Sequence, residues 1–371
     1  MHSHLRPSHL FRQIVHLPLA AAAFATIAAP AAASDDPPFF LDFGHVDLAW
    51  SFSPGQGWGV LAEYDEVFPT AFIAPQDVIF VAKDLPFPQD GSRANRPAGS
   101  SWGFVGVEEG EPFWLLPAAA TGDVTELGFN TYDVAGVSFA DNVRIDFLDV
   151  EFFGEGEGFF TVYTGFPHLG SVVLHHSTTP GHPGNGSYTL GVDDHQHVNW
   201  TFSHRGLYRV TMQASALLTP GVESSRVFSD PEQIQLAVGL RGFENWLLTH
   251  RIDPDEWSEA PPFGPDSLPP LLQYALGAEP AEDTRGLVEF DIRSFLGSDF
   301  AVLEMPRRTG ADDVILRVET STDLVDWNHG PGHTTNLDTP PERLAERAAS
   351  SMEDAPRLFL RAAAERVPQT P

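Results

Sequence analysis

The stretch Asp193-Asp194-His195-Gln196-His197-Val198-Asn199-Trp200 decides how this chain is read, together with its continuation Thr201-Phe202-Ser203-His204-Arg205-Gly206-Leu207-Tyr208-Arg209-Val210. In an extended strand successive side chains point to opposite faces. Val198, Trp200 and Phe202 therefore share one face, and His195, His197, Asn199 and Thr201 share the other. The first row is apolar; the second carries imidazoles and an amide. Ser203 to Gly206 reads as a turn, after which Tyr208, Val210, Met212 and Ala214 alternate again. The pattern predicts a hairpin with one buried face and one polar, histidine-bearing edge.

The same alternation recurs upstream. In Phe43 to Trp50, Val46, Leu48 and Trp50 face one way, and His45 and Asp47 the other. Ser53 to Gly57 is a turn, Asp77 to Ala82 a short apolar strand, and Pro86 to Ser101 a Pro- and Gly-rich loop. Trp102 to Val107, Phe113 to Leu116, Phe159 to Thr164, Val172 to His176 and Ile234 to Val238 read as further strands. Val143 to Phe153 is strongly β, with a change of face near Phe147-Leu148 that marks a bulge. Gly154 to Gly158 contains Gly-x-Gly, but no helix follows, so a nucleotide-binding loop is not supported. Many short strands with turn signals and almost no helical periodicity predict a mainly β protein, an antiparallel β-sandwich. Its general architecture is immunoglobulin-like, and Gly206 to Val210 resembles the late strand of such domains, in which a Tyr anchors a corner.

After Gly239 the texture changes. Phe243 to His250 reads as a short helix, Asp253 to Pro270 as a Pro- and acid-rich linker, and Pro270 to Gly277 as a helix ended by Gly. Phe300 to Glu304, Val314 to Thr320 and Leu358 to Arg361 are strands. The expected organisation is a signal peptide over 1–34, a β-sandwich over 35–240, a linker with short helices over 241–280, and a smaller, mostly β module over 281–365.

The signal peptide rests on Arg6 and Arg12, the Ala-rich apolar run Leu17 to Ala29, and the small residues Ala31-Ala32-Ala33 before Ser34. The run is short and broken by Pro30, which argues against a membrane anchor. The expected mature protein is exported, to the periplasm, cell surface or exterior, with no transmembrane span after signal cleavage. Net charge is −30, from 51 acidic against 21 basic residues, and Lys83 is the only lysine. Little is available to neutralise phosphates, so nucleic acid and anionic membranes are poor partners. The partner implied is an unidentified envelope or extracellular ligand. The chain has no cysteine, which excludes thiolate metal sites, a Cys nucleophile and a disulfide framework. Any metal site must use His, Asp, Glu or backbone oxygen.

The His-x-His-x-Asn-Trp run at His195 to Trp200, followed by Gly206-Leu207-Tyr208-Arg209-Val210-Thr211-Met212-Gln213-Ala214-Ser215-Ala216, resembles the signature of the actinobacterial-type surface-anchored repeat domain. That domain recurs in choice-of-anchor M proteins. It opens with a Gly-His-Val-Asp-Leu element, matched here by Gly44 to Leu48. The resemblance spans roughly Phe39 to Val238, about one all-β domain, and implies a cell-surface location. It also brings an association with metal-ion ABC transporters, beside whose genes some members lie. The C-terminal part, through Leu271 to Pro280 and Val318 to Trp327, resembles a module of exported proteins of Verrucomicrobia-like bacteria. An Asp-rich turn in that module implies calcium. Here Pro261 to Ser267 stands in that place with Asp266 as its one evident ligand, so calcium is not predicted.

His195 and His197, at i and i+2 on one strand face, set two imidazoles side by side, a common way to bind zinc or a similar divalent cation. His45 and Asp47 repeat that geometry on a second strand. If the two strands are neighbours, four N/O ligands converge into a tetrahedral site, with His175, His176 and His182 as reserve ligands. The structural alternative is that these groups only bond backbone and one another to fix a loop. Asn199 reads as a backbone-bonding residue. Trp50 and Trp200 read as core, and Trp58 as the most exposed of the tryptophans. Glu63, Asp65 and Glu66 could serve as glycosidase acids, but nothing marks a matched pair. Three functions follow: a non-enzymatic exported interaction module with a His-based metal site, a metal-binding partner protein of a cation ABC transporter, or a His/Asp metal-dependent hydrolase.

Overall fold

The structure is a computed structural model, and it describes residues 36–367 apart from 120–122, 135–138, 219–224, 258–267, 281 and 356. The signal-peptide reading of 1–34 and the Asp266 turn lie outside the described residues.

The chain is mainly β, and three sheets surround one core in a β-sandwich-like arrangement. The first sheet runs Phe39–Leu41, Val78–Ala82, Glu232–Val238, Gly206–Leu217, Val143–Gly154 and Ser187–Leu190, with Arg226–Phe228 paired to Gly206–Leu217 off that path. The second runs His195–His197, Thr125–Asn130, Gly44–Ser53, Gly57–Tyr64 and Ala71–Ile73. The third runs Ser171–Ser177, Phe160–Phe166, Asn199–Phe202, Pro112–Leu116 and Arg93–Asn95. Most pairs are antiparallel. Parallel pairing occurs between Phe39–Leu41 and Val78–Ala82, between Val78–Ala82 and Glu232–Val238, and between Gly44–Ser53 and Thr125–Asn130.

Alternation explains which side chains fill the core. Val46, Leu48 and Trp50 point inward from the second sheet, Val162, Trp200 and Phe202 from the third, and Tyr208, Val210 and Leu236 from the first. All are buried, as the alternation of Val46, Leu48, Trp50 and Trp200 predicts. Trp58 differs from its sequence reading: it begins a strand, is half-buried, and stacks on Phe139 at 5.7 Å. The bulge lies where the alternation broke. Pairing steps from Thr211↔Asp149 to Met212↔Phe147, which leaves Leu148 as the extra, exposed residue.

The expected hairpin is not formed. Asn199–Phe202 pairs with Phe160–Phe166 and Pro112–Leu116, whereas Gly206–Leu217 pairs with Val143–Gly154 and Glu232–Val238. The turn between them carries the chain from one sheet to another. Both strands have an apolar face, and two such faces are buried by opposing each other across a core, not by lying side by side in one sheet. The Tyr corner does form: the Tyr208 hydroxyl accepts from the His204 amide at 3.2 Å and donates to the His204 carbonyl at 3.0 Å. Trp102 to Val107 is likewise no strand. Ser100–Val105 is a 3-10 helix that buries Phe104 and Val105 and ends at Gly106, whose φ of 79° suits glycine. A short apolar run does not by itself distinguish the two conformations.

The C-terminal strands form a four-stranded sheet and the pair Val314–Ser321 with Phe359–Arg366. A second core joins them to the helices Gly242–Thr249 and Pro270–Leu276 through Phe243, Trp246, Tyr274, Leu303 and Val318. The helices within the expected linker are thus packed elements. Pro270 sits in the first turn of its helix, where a missing N–H costs nothing, and Gly277 ends it in the left-handed region. No helix among the described residues is long and apolar enough to cross a membrane.

Trp200→Ala removes the largest side chain at the meeting of the sheets and should lower unfolding free energy by about 3–5 kcal/mol. Tyr208→Phe removes one hydroxyl and should cost about 1–3 kcal/mol. Urea unfolding followed by tryptophan fluorescence and circular dichroism measures both.

Candidate metal centre

Three strands build the site. Thr125–Asn130 lies between Gly44–Ser53 on one side and His195–His197 on the other, with Gly128 opposite both Asp47 and His197. Glu126 stands opposite His45, and Asn130 opposite His195. The two ligand-bearing strands are therefore not neighbours, although adjacency is the condition under which the sequence predicts a common site. Two strand spacings, about 9.5 Å, separate their backbones. Their side chains still meet, because the strand between them carries glycine at the crossing point. A Cβ on Gly128 would lie 2.3 Å from the Asp47 Oδ1 and 2.9 Å from the His197 ring.

The four side chains converge, their ligand atoms all within 4.8 Å of one another, in an arrangement able to hold a metal ion. The Nε2 atoms of His195 and His197 are 2.8 Å apart, those of His197 and His45 3.0 Å, and those of His45 and His195 3.3 Å. The Asp47 carboxylate is 3.0 Å from His195 Nε2, 3.6 Å from His197 Nε2 and 3.8 Å from His45 Nε2. Each Nε2 carries either one in-plane hydrogen or one in-plane lone pair. Three of them in mutual contact cannot all be satisfied by hydrogen bonds. A cation at their centre satisfies all three lone pairs. A tetrahedral ion with metal–nitrogen bonds of 2.0–2.1 Å implies ligand–ligand edges of about 3.3–3.4 Å. The six distances scatter about that value.

Burial supports the same chemistry. Asp47 is 2% exposed, and its Oδ1 has no hydrogen-bond partner among the described residues. Burial raises its pKa, and this is partly offset by His195, His45 and the Asn130 amide. Burial lowers the pKa of His197 to about 4, with the His45 and His195 rings adding to the effect. His197 is thus neutral near pH 7, the state in which an imidazole ligates. Further acids surround the rings. Asp65 lies 3.3 Å from His45 Nδ1 and Glu126 3.6 Å from His197 Nδ1, near enough to favour positive charge at the cluster, though neither Nδ1 has a hydrogen-bond partner among the described residues. Glu66 accepts from the His45 amide at 3.3 Å. Asn130 donates to Glu63 at 2.5 Å and to Asp47 at 3.5 Å, so it holds the buried carboxylate in place.

The reserve ligands lie elsewhere. His175 bonds the Thr164 hydroxyl at 2.9 Å, His176 stacks on Phe147 at 5.0 Å, and His182 packs against Gly103. Asn199 is a backbone-bonding residue: its Oδ1 accepts from the Ala118 amide and its amide donates to the Tyr163 carbonyl. Glu63, Asp65 and Glu66 surround the His/Asp cluster. Glu126, Gly128 and Asn130 went unread in the sequence. Their signal was the alternation Glu126-x-Gly128-x-Asn130 against Leu127 and Phe129, a strand with one polar face. No protein-family model matches the chain, and no curated protein matches it.

Gly128→Ala should displace Asp47 and His197 and weaken divalent-metal binding by about 10–100-fold while the sheet still forms; calorimetric titration and circular dichroism test this together. Burial lowers the pKa of His175, His176, His197, His204 and His250. Unfolded, each would protonate near pH 6.5. Because the folded values are depressed, the stability they contribute is complete above about pH 6.5 and is lost as pH falls below it. For His197 the loss extends down to about 4. The Tm of the chelator-treated protein should therefore fall between pH 7.5 and pH 5, and a flat profile would contradict the burial of these rings.

Proposed function

We propose that this chain is an exported cell-envelope protein whose β-sandwich binds one divalent transition-metal ion, of the zinc class, through His45, Asp47, His195 and His197. The observation that carries the reading is the convergence of three Nε2 atoms and one buried carboxylate on a common point. Three nitrogens and one oxygen favour zinc, copper, nickel or cobalt over calcium and magnesium, which require more oxygen ligands. With Asp47 as fourth ligand the tetrahedron is complete and no position remains for a reactive water. That supports binding over hydrolysis, because catalytic zinc keeps an open position. The protein then acts as a non-enzymatic interaction module. Its surface location and its kinship with surface-anchored, choice-of-anchor M domains rest on the resemblance of Gly44 to Leu48 and His195 to Trp200.

A second reading is a metal-carrying partner of a cation ABC transporter. It is favoured by the partial exposure of two ligands, since His45 and His195 retain 29% and 28% of their side-chain surface while Asp47 retains 3%. An ion there is within reach of solvent on one side.

Elemental analysis of the untagged mature protein, beside His195→Ala/His197→Ala, should find about one equivalent of metal in the wild type and none in the variant. Metal at a hundredfold excess over Kd should stabilise the wild type by about 2.7 kcal/mol. Absence of metal in both proteins, including after soaking in zinc, would make the cluster structural. Exchange with a chelator separates the first two readings, being slow for a fixed ion and fast for a carried one. Turnover of ester, phosphate or glycan substrates would instead support the hydrolase.

A further inference from the structure

The strand Glu289–Phe295 stands at the edge of the C-terminal four-stranded sheet and pairs on one side only, with Ser298–Pro306. Glu289, Phe290, Asp291, Ile292 and Ser294 are all exposed. Three features of this edge are not explained by the C-terminal fold alone.

The first is apolar. Phe290 lies opposite Leu303 and Ile292 opposite Ala301, so each shares a face with its partner. Leu303 is 5% and Ala301 2% exposed, whereas Phe290 and Ile292 keep 60% and 50% of their surface. The apolar face of the sheet therefore runs on to its last strand and is uncovered there. An exposed apolar edge strand is a template for pairing with another chain.

The second is the main chain. The hairpin closes through Leu296 and Gly297, both at positive φ (53° and 89°), between Phe295 and Ser298. In such a two-residue turn the flanking residues form a hydrogen-bonded pair. Alternate residues of an antiparallel strand direct both N–H and C=O to the same side. Arg293 and Asp291 thus bond inward with Phe295, while Ser294, Ile292 and Phe290 face the free edge. The Ile292 amide accordingly donates to the Asp291 carboxylate, at 2.8 Å.

The third is the order of charges. Asp291 and Arg293 flank Ile292 on the face away from Phe290. In a two-fold antiparallel pairing centred on Ile292, Asp291 lies opposite Arg293 of a second copy, and Arg293 opposite its Asp291. Ile292 then meets Ile292, and Phe290 meets Ser294, all residues whose backbone faces the free edge. Centring on Phe290 would set Asp291 against Glu289, a repulsive pair. Centring on Ser294 would lose both charge pairs. Arg293 is held at this edge between Asp291, at 2.9 Å, and Glu304, at 2.6 Å. Its five N–H donors suffice for a further carboxylate.

We propose that this chain forms a two-fold homodimer through Glu289–Phe295, joining two four-stranded sheets into one continuous sheet. A backbone carbonyl of the second copy replaces the Asp291 carboxylate at the Ile292 amide. Asp291 turns to Arg293 of the second copy, and the Phe290 and Ile292 side chains of the two copies cover one another.

The test is sedimentation of the full, untagged mature chain as its concentration is raised, with chelator present so that no metal bridges two histidine clusters. Wild type should pass from monomer to dimer. Ile292→Lys sets two ammonium groups face to face and should raise the dimer Kd by about tenfold or more. Should lysine disturb the sheet by circular dichroism, Ile292→Ser should show a smaller rise in a folded protein. Register is read by crosslinking, since the chain has no cysteine. Ile292→Cys places two thiols across the axis at a Cα separation of about 5.5 Å, within disulfide range. It should oxidise to a covalent dimer, whereas Phe290→Cys should do so only when mixed with Ser294→Cys. A wild type that stays monomeric at the highest concentration reached, a dimer that folded Ile292→Lys or Ile292→Ser leaves unchanged, or Phe290→Cys alone crosslinking as readily as Ile292→Cys would each overturn the proposal.

Discussion

One side chain joins the three sheets of the sandwich. The Trp200 ring meets Phe129 of the second sheet at 5.5 Å, Phe147 of the first at 6.3 Å and Phe160 of the third at 5.7 Å. Its Nε1 donates to the Leu127 carbonyl at 3.0 Å, so the polar atom of a fully buried ring is satisfied by a neighbouring sheet. That bond ties the strand after Val198 to the strand that carries Gly128. Val198 itself is fully buried at the point where the chain leaves one sheet for the other. The apolar row Val198, Trp200, Phe202 thus drives inward without interruption, and the histidines on the opposite row are held outward.

The histidine cluster depends on that anchorage. A three-residue strand paired on one side is a weak element by itself. Here it is fixed at one end by Val198 and Trp200 and at the other by Asp194, whose backbone carbonyl accepts from the Thr131 amide at 2.9 Å. The rigid frame permits three imidazoles to crowd one carboxylate, an arrangement that costs desolvation of Asp47 and forces His197 neutral. Such a cost is recovered when a cation takes the lone pairs, and binding of the ion is then coupled to stability of the sheet edge.

The acidic character of the chain is unevenly used. Around the cluster, Glu63, Asp65, Glu66 and Glu126 add negative potential. Around Asp84 the balance is reversed, with three arginines on one carboxylate. Two regions of opposite local charge therefore lie at the two ends of one short strand. In the C-terminal part most arginines are matched singly or in pairs, as Arg317 and Arg361 are to Glu319, and they build sheet surface.

The sequence by itself determined which residues face the core and which form the polar row, because side-chain alternation is a property of the local backbone. Val46, Leu48, Trp50 and Trp200 inward, His45 with Asp47 and His195 with His197 in pairs at i and i+2, the bulge at Leu148 and the Gly277 helix end were all legible on that ground. Which strands become neighbours is not a local property. It is settled by the burial of apolar faces across a shared core, and so the chain crosses between sheets at Ser203 to Arg205 where alternation alone implied a hairpin. Only the tertiary structure placed the Thr125–Asn130 strand between the two ligand pairs. Only it gave Gly128 a purpose, since a missing side chain matters when two others must pass over it. Glu126 came within 3.6 Å of the His197 ring in the same way, through register across strands distant in sequence.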